Sequence, residues 1–267
     1  MLLTPKVKLF DGFNGVIWPD LHAPKFDKPS INACLQYLKH IRKKNKPDFF
    51  LSLGDWCDFD SLSRFQVIKS SDMPCLIDEI KSAKEMLKEV NSILPKHCKK
   101  FMTMGNHDQR PEIYRLNNWD AKDQKLFGSY FGFERIPNAE VLYGLKELGW
   151  EWCDRDNMIG IGKALFTHGF YTNKTHAEKT LMMWFKTIIY GHVHNFSVFS
   201  RSGMDSHPIA AYSIGTLSRF DLSYLKGTIP NWTHMFGVID YFQNGNFTFN
   251  PIPIIDGKFI KDGKIYG

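Results

Sequence analysis

Five short segments of the sequence combine aspartate, histidine and asparagine, whose oxygen and nitrogen atoms bind transition metals. The segments are Asp20-Leu21-His22, Gly54-Asp55-Trp56-Cys57-Asp58, Gly105-Asn106-His107-Asp108, His168-Gly169 and Gly191-His192-Val193-His194. Imidazole and carboxylate ligands together suit Mn, Fe, Zn, Co or Ni better than Mg or Ca. A carboxylate can also bridge two ions, because it has two oxygens. The segments therefore indicate a site for divalent transition metals.

The five segments differ in how much each one indicates by itself. An Asp-x-His spacing is expected about 0.7 times from this composition, whereas Gly-Asn-His-Asp is expected roughly 0.003 times. A single buried histidine or aspartate is usually structural, so it is the ordered set of segments that favours a metal site. Histidines outside these segments are interpreted as structural or solvated; they are His40, His97, His176, His207 and His234.

Predicted strands place the polar segments in space. Apolar runs at 16–18, 49–53 and 100–104 read as buried strands, and each ends just before one of the first three segments. Helical periodicity predicts helices between them, one over 31–41 capped by Ser30 and one from about 72 to 93. This β-α-β-α-β order implies parallel strands, and ligands collect at the carboxyl ends of such strands.

The second half of the chain predicts a further sheet. Strands at 164–167 and 187–190 end at the two histidine segments, and a helix over about 175–185 joins them. We interpret 181–185 as a core-facing part of that helix. Asn244-Gly245 between apolar runs indicates a two-residue hairpin, so the final third is predicted to be antiparallel. Together these elements predict an α/β fold, with two sheets packed face to face and helices outside.

A single domain over 1–267 accommodates this organisation. The segment from about 109 to 156 is rich in charged and aromatic residues, and it is a candidate cap-like insertion. We slightly favour helical cover over the edge of the site, because clustered aromatic side chains are usually packed. A substrate-facing role for this segment is the alternative.

Composition limits the class of protein. The chain has 267 residues, with 43% hydrophobic, 23% charged and a formal net charge of +6. The sequence contains no apolar run of membrane-spanning length, and its first residues do not resemble a signal peptide. Its odd number of cysteines and lack of C-x-x-C spacing favour reduced thiols. We therefore expect a cytoplasmic protein with no membrane partner, and we predict no obligate protein partner.

The ordered segments resemble the motif set of the calcineurin-like metallophosphoesterase superfamily, over residues 20–194. Residues 251–258 faintly resemble the tails of phage-encoded and bacterial members. The resemblance implies a two-sheet sandwich flanked by helices and two divalent ions, with Mn²⁺ the first choice. One ion would bind Asp20, His22, Asp55 and His194, and the second would bind Asp55 as a bridge, Asn106, His168 and His192.

The resemblance also implies a reaction and catalytic roles. A metal-bound hydroxide would attack phosphorus, and two metals would relieve charge on the attacking and leaving oxygens. His107 would assist the leaving group, Asp58 would orient His107, and Asp108 would support the site from behind. In the protein Ser/Thr phosphatase branch an arginine follows the position of Asp58, whereas this sequence has Phe59.

The expected substrate is a phosphoester. We favour a phosphodiesterase or a nuclease, because the chain is basic and lacks that arginine, so a nucleic acid or a nucleotide is the candidate substrate. The alternative is a phosphomonoesterase acting on nucleotides or phosphoproteins. A non-catalytic binding module of the same fold is a less favoured possibility, because every matched ligand and His107 are present. Arg110 could approach phosphate, although an ion-paired or surface role is favoured.

Overall fold

The structure is a computed structural model that describes residues 2–64, 75–118, 121–202, 208–222, 225 and 228–267. Its strands are β1 Leu2–Leu3, β2 Phe13–Trp18, β3 Phe49–Ser52, β4 Lys99–Thr103, β5 Trp150–Cys153, β6 Met158–Ile161, β7 Ala164–Thr167, β8 Thr187–Tyr190, β9 Phe196–Arg201, β10 Ile209–Ile214, β11 Met235–Tyr241, β12 Phe247–Pro253, β13 Phe259–Lys261 and β14 Lys264–Tyr266. Its helices are α1 Lys28–Arg42, α2 Leu76–Ile93, α3 Arg110–Asn117, α4 Lys122–Tyr130, α5 Ala139–Tyr143 and α6 His176–Trp184, with a short 3-10 helix over Asp60–Leu62.

Within these described residues, the strands form two six-stranded sheets and one small hairpin. The first sheet has the order β12-β11-β2-β3-β4-β5, in which β2 to β5 are parallel and β11 is antiparallel to both of its neighbours. The second sheet has the order β1-β6-β7-β8-β10-β9, with β7, β8 and β10 parallel. The predicted α/β sandwich of two sheets with flanking helices is therefore confirmed.

The strands at the centre of the first sheet are buried on both faces. Ile17 and Leu51 pack with Phe166 in the core between the two sheets. Their neighbours Val16 and Phe50 point the opposite way, into the core that α1 and α2 cover. Alternate side chains of a strand face opposite sides, so burial on both sides requires an almost continuous apolar run. This is why these strands were recognisable from sequence.

Two local predictions need correction. Helix α1 begins earlier than predicted: its N-cap is Asp27, whose carboxylate accepts a hydrogen bond from the Ser30 amide at 2.9 Å, and Pro29 occupies the first turn. Aspartate is an equally good cap, and proline fits the first turn because its missing N–H has no partner there. The predicted core face at 181–185 is also wrong, because only Leu181 is buried and the following four side chains are 39–57% exposed.

The segment at 109–156 contains α3, α4 and α5 and ends in β5, which pairs with β4 at the edge of the first sheet. Its role as cover or as a cap-like insertion stays a prediction. Residues 72–74, at the predicted start of the second helix, lie outside the described residues. In the part of the chain that is described, no helix has the length and apolar character needed to cross a membrane.

Candidate metal centre

The carboxyl ends of parallel strands from both sheets bring the predicted ligands to one edge of the sandwich. In the first sheet, Asp20 follows β2, Asp55 follows β3 and Asn106 follows β4. In the second sheet, His168 follows β7 and His192 follows β8. The His192 amide donates to both oxygens of the Asp20 carboxylate, at 3.0 and 2.9 Å. This bond ties the ligand loops of the two sheets together.

One group of metal-binding atoms is formed by Asp20, His22 and His194. Their ligand atoms lie within 4.8 Å of one another, and all three residues are buried. The His194 Nε2 atom is 3.0 Å from Asp20 Oδ2, and the two Nε2 atoms of the histidines are 3.1 Å apart. This is three of the four residues that the resemblance assigns to the first metal.

A second group is formed by Asp55, His168 and His192, again with ligand atoms within 4.8 Å of one another. His168 Nε2 lies 3.3 Å from Asp55 Oδ2 and 3.0 Å from Asn106 Oδ1. Asp55 also borders the first group, because its Oδ2 atom is 3.7 Å from His22 Nε2. A carboxylate between two clusters of imidazoles matches the bridging position that the resemblance implies.

Hydrogen bonds to Nδ1 leave the Nε2 atoms available as ligands. His168 Nδ1 is 2.8 Å from the Leu53 carbonyl, which can only accept, so Nδ1 carries a hydrogen. His22 Nδ1 is likewise 2.9 Å from Asp58 Oδ1. The lone pair of each Nε2 atom then faces other atoms that carry lone pairs. A bound cation would satisfy all of these lone pairs. In histidines that bind a metal through Nε2, the Nδ1–H group usually donates a hydrogen bond to a carbonyl or a carboxylate.

The electrostatics of the cluster also favour a cation. Burial by itself lowers the pKa of His168, but the charges of Asp55 and Asp20 outweigh it and raise this pKa to about 9. Burial raises the pKa of Asp55, yet the charges of His168 and His107 hold it well below its ordinary value. Divalent ions would neutralise the same carboxylates and displace the imidazole proton, because ligand imidazoles must be neutral. The residues present therefore fit a pair of divalent metals.

Four of the predicted ligands have left-handed backbone conformations that non-glycine residues rarely adopt. The φ angles are 54° at His22, 48° at Asp55, 72° at His192 and 63° at His194. Each such residue costs of order 1–3 kcal/mol and persists only where the surrounding structure holds it. Strain concentrated in the ligand loops is typical of a functional site.

Glycines in the motifs make room for the ligand carboxylates. A Cβ atom at Gly191 would lie 2.0 Å from Asp20 Oδ1, and one at Gly105 would lie 1.9 Å from Asp55 Oδ1. Real Cβ atoms do not approach other atoms this closely. Gly105 and Gly191 are therefore required by contact with a carboxylate from another loop.

We expect Gly191→Ala to weaken metal binding by roughly 10- to 100-fold, the size of effect seen when the support of a ligand is altered. The added methyl group must push the Asp20 carboxylate from its position. Isothermal titration of the purified variant with Mn²⁺ measures the loss. Gly160→Ala is the matched control, because its Cβ meets only flexible leucine side chains, at 3.2 Å or more. Equal Mn²⁺ affinity in the two variants would contradict this explanation.

Asp108 holds the loops of the first sheet together from below. Its carboxylate accepts hydrogen bonds from the backbone amides of Asp55, Trp56 and Gly105, and from the hydroxyl of Tyr143 at 2.5 Å. Burial, with the nearby charge of Asp55, raises the pKa of Asp108 to about 6. A buried acceptor with this many donors fixes the loops that carry the predicted ligands.

His107 lies beside the two ligand groups and is held from its Nδ1 side. This atom is 2.9 Å from Asp58 Oδ1 and 2.8 Å from the Asp58 carbonyl. The ammonium group of Lys25 forms an ion pair with Asp58 and with Asp60, each at 2.6 Å. Arg110 donates to the Asp58 carbonyl at 2.9 Å and reaches to 3.3 Å from His107 Nε2. Arg110 also forms an ion pair with Asp60 at 3.4 Å, and its approach to phosphate stays a prediction.

His107 also falls in a third group of metal-type side chains, with His22 and Asp55. Its Nδ1 atom is taken by Asp58, and its amide donates to Asp55 Oδ1 at 2.8 Å. Burial lowers the pKa of His107, but the charge of Asp55 and the hydrogen bond to Asp58 raise it above its ordinary value. His22 has the same Nδ1 contact, but the Arg110 guanidinium lies 3.3 Å from the Nε2 atom of His107, and its positive charge disfavours a metal ion at this atom.

Four histidines outside the motifs lie apart from these groups in the described part of the chain. The metal-type groups found among the described residues include none of His40, His97, His176 and His234. His207 lies outside the described residues. The buried ring of His176 contacts the hydroxyl of Tyr190 at 2.6 Å, which fits a structural role.

Sequence patterns did not identify several side chains that support the site. Lys25 and Tyr143 belong to no motif, and their partners Asp58 and Asp108 are 33 and 35 positions away. Only the folded chain brings them together. Phe59 is fully buried and stacks on Tyr143, so it packs below the site instead of facing it.

A separate cavity of about 690 Å³ lies at the opposite, amino ends of β7 and β8.

Comparisons with known proteins identify a family and show distant structural likenesses. The family model of the calcineurin-like phosphoesterases matches residues 17–205. A comparison with curated proteins finds no match. Among solved structures, a hypothetical protein from Pyrococcus horikoshii is similar with 9% identity and a TM-score of 0.45, over 89% of this chain and 86% of that chain. The protein described as the anchor in the inner membrane complex of Plasmodium is similar with 12% identity and a TM-score of 0.39, over 94% and 87% of the two chains.

Proposed function

This chain belongs to the calcineurin-like phosphoesterase family, and from that premise we propose that it is a phosphodiesterase that uses two divalent transition metals. The observation that carries the proposal is the meeting of two Asp/His groups at one edge of the sandwich. Asp55 lies between the two groups, 3.3 Å from His168 and 3.7 Å from His22.

We assign the metals to the residues that the sequence predicted. The first ion would be held by Asp20, His22, Asp55 and His194, and the second by Asp55, Asn106, His168 and His192. When bound, the two ions would supply Lewis acidity at the phosphoryl oxygen and a water of lowered pKa. Mn²⁺ is our first choice, because the ligands mix carboxylate, amide and imidazole.

The protein's own groups act mainly on the leaving oxygen and on positioning. His107 would donate a hydrogen bond or a proton to that oxygen, and Asp58 would hold its ring through Nδ1. Lys25 would keep Asp58 ionised and in place. Arg110 would add positive charge beside His107, where negative charge develops as the bond breaks. Asp108 would keep the loops of Asp55 and Asn106 in register.

Two observations favour a diester over a monoester. The position that carries a phosphate-binding arginine in the protein-phosphatase branch is the buried Phe59. Two of the cations near the site, Lys25 and Arg110, form ion pairs with Asp60. Pairing of these two positive charges suits the single charge of a diester better than the double charge of a monoester. A phosphomonoesterase is the alternative, and the relative rates of diester and monoester hydrolysis distinguish the two.

We expect metal-stripped protein to be inactive and to regain turnover of bis(p-nitrophenyl) phosphate when Mn²⁺ is added. The release of p-nitrophenol measures the rate, with p-nitrophenyl phosphate as the matched monoester. A kcat/KM for the diester at least tenfold above that for the monoester supports the proposal. A preference for the monoester would replace it with the phosphatase. No turnover of either substrate with Mn²⁺ bound would favour a binding module.

A further inference from the structure

A cluster of aromatic side chains borders the predicted metal centre on the side of the second sheet. The indole of Trp232 lies against the ring of His194, with centroids 4.4 Å apart and planes at 73°. Phe220 meets Trp232 edge to face at 6.0 Å and stacks on His234 at 3.9 Å. We call Phe220, Trp232 and His234 the aromatic cluster.

Backbone hydrogen bonds fix this cluster to the ligand loops. The Thr233 amide donates to the His194 carbonyl at 2.9 Å, which places Trp232 beside the predicted first metal. The chain before Phe220 runs along the Asp20 loop: Leu217 donates to the Asp20 carbonyl at 2.8 Å, and the Thr216 hydroxyl donates to the same carbonyl at 2.9 Å. These bonds hold the chain beside Trp232 and the chain before Phe220 against the ligand loops.

The cluster lines an open cleft. Its volume is about 480 Å³, and its lining includes Asp27 and Asp256. Small-molecule sites usually have volumes of roughly 300–1,000 Å³. Phe220 and Trp232 are each only partly buried. The His234 ring is locked, because its Nε2 atom lies 2.8 Å from the Ser218 carbonyl and donates to it. A fixed aromatic wall beside open space is suited to stacking a flat ring.

We propose that this cleft binds the base of a nucleoside phosphodiester whose phosphate lies at the metal centre. Carboxylates disfavour a second phosphate in the cleft but accept hydrogen bonds from the N–H groups of a base. Aromatic side chains stack on any base, because every base has a π-face. Trp232 and Phe220 are thus specificity-determining residues for a substrate that carries a base. This inference deepens the proposed function and rests on it.

The first experiment compares two diesters that share one leaving group. Thymidine 5′-(p-nitrophenyl) phosphate carries a base, and methyl p-nitrophenyl phosphate does not. We expect the ratio of their kcat/KM values to fall by roughly 5- to 150-fold in Phe220→Ala, the effect of removing one base stack. Trp232→Ala should act in the same direction and Trp232→Phe should restore much of the ratio. A ratio within twofold of wild type in both alanine variants overturns the inference.

Trp184→Ala is the matched control, because this tryptophan is 39% exposed on α6 and lies outside the cluster. It should leave the ratio unchanged. Because Trp232 contacts a predicted metal ligand, Mn²⁺ content is measured for every variant. The ratio for Phe220→Ala, whose ring contacts are with Trp232 and His234, then separates base binding from damage to the metal centre.

A binding measurement distinguishes failure of this inference from failure of the proposed function. Calorimetric titration of the Mn²⁺-loaded protein with thymidine 5′-monophosphate and with inorganic phosphate requires no turnover. We expect the nucleotide to bind at least tenfold more tightly than phosphate, and Phe220→Ala to remove most of that difference. Equal affinity for both ligands overturns the base site even if diesters are hydrolysed.

A final comparison identifies the source of the base. A mononucleotide diester and an oligothymidylate offer the same chemistry to the cleft. Binding of a polynucleotide weakens steeply with salt, because counterions are released from several phosphates. A steep salt dependence of kcat/KM on the oligonucleotide, with a flat one on the mononucleotide diester, identifies a nucleic acid end. A flat dependence on both substrates identifies a free nucleotide.

Discussion

Replacing Asp55 with alanine should lower kcat/KM for a diester by at least about 10³-fold. Two bound ions would together supply several kcal/mol of transition-state stabilisation, and each 1.36 kcal/mol corresponds to about tenfold in rate. Asp55 lies within reach of both ligand groups, so its loss should weaken both ions. Metal analysis after gel filtration should find fewer than two Mn²⁺ ions per chain.

Asp55→Asn sharpens this prediction, because it keeps the shape of the side chain and removes its charge. It should retain the fold, as judged by circular dichroism, and still lose most of the activity. Asp78→Ala is the control, since Asp78 is an exposed aspartate in the first turn of α2. Full Mn²⁺ content and near-normal rates in Asp55→Asn would show that no bridging carboxylate is needed.

Replacing His107 with alanine should lower kcat by about 10²- to 10⁴-fold, the usual contribution of general acid catalysis. The Nδ1 atom is held by Asp58 at 2.9 Å, so Nε2, which lies 3.3 Å from the Arg110 guanidinium, is the ring nitrogen that we propose acts on the leaving oxygen. The metal content should stay at the wild-type value, because we do not assign His107 as a ligand. A lower rate with full metal content would distinguish the role of His107 from that of Asp55, whose loss should also lower the metal content.

The leaving group provides a second readout for His107. A proton donor matters most when the departing oxygen is strongly basic, so the loss should be larger for an alkyl leaving group than for p-nitrophenol. His97→Ala, which removes a histidine whose side chain is 42% exposed, should change neither rate. An equal loss for both leaving groups would assign His107 a structural role, and a loss of metal would make it a ligand.

Local patterns predicted the elements that carry the site well. The strands β7 and β8 have the predicted limits, and β3 and β4 differ from the prediction by one residue at one or both ends. Burial on both faces makes these strands almost continuously apolar, and each is followed at once by polar motif residues. The same pattern identified the segments whose side chains meet at the sheet edge.

Other parts could not be read from local patterns. The edge strand β5 has the sequence Trp-Glu-Trp-Cys, with a mixed pattern that gave no strand signal. The end of α6 was predicted to be core because its residues are apolar, but their side chains face solvent. Trp232 reaches His194 across 38 positions, and no short motif records such a contact. The residues that support the ligands, and those proposed to face the substrate, could therefore be identified only from the structure.

We propose that the two Asp/His groups hold two metals that share Asp55. Anomalous diffraction at the manganese edge, from crystals grown with Mn²⁺, tests it most directly. We expect two peaks about 3.5–4 Å apart, with the Asp55 carboxylate between them. A single peak, or two peaks away from Asp20, Asp55 and His168, would contradict it.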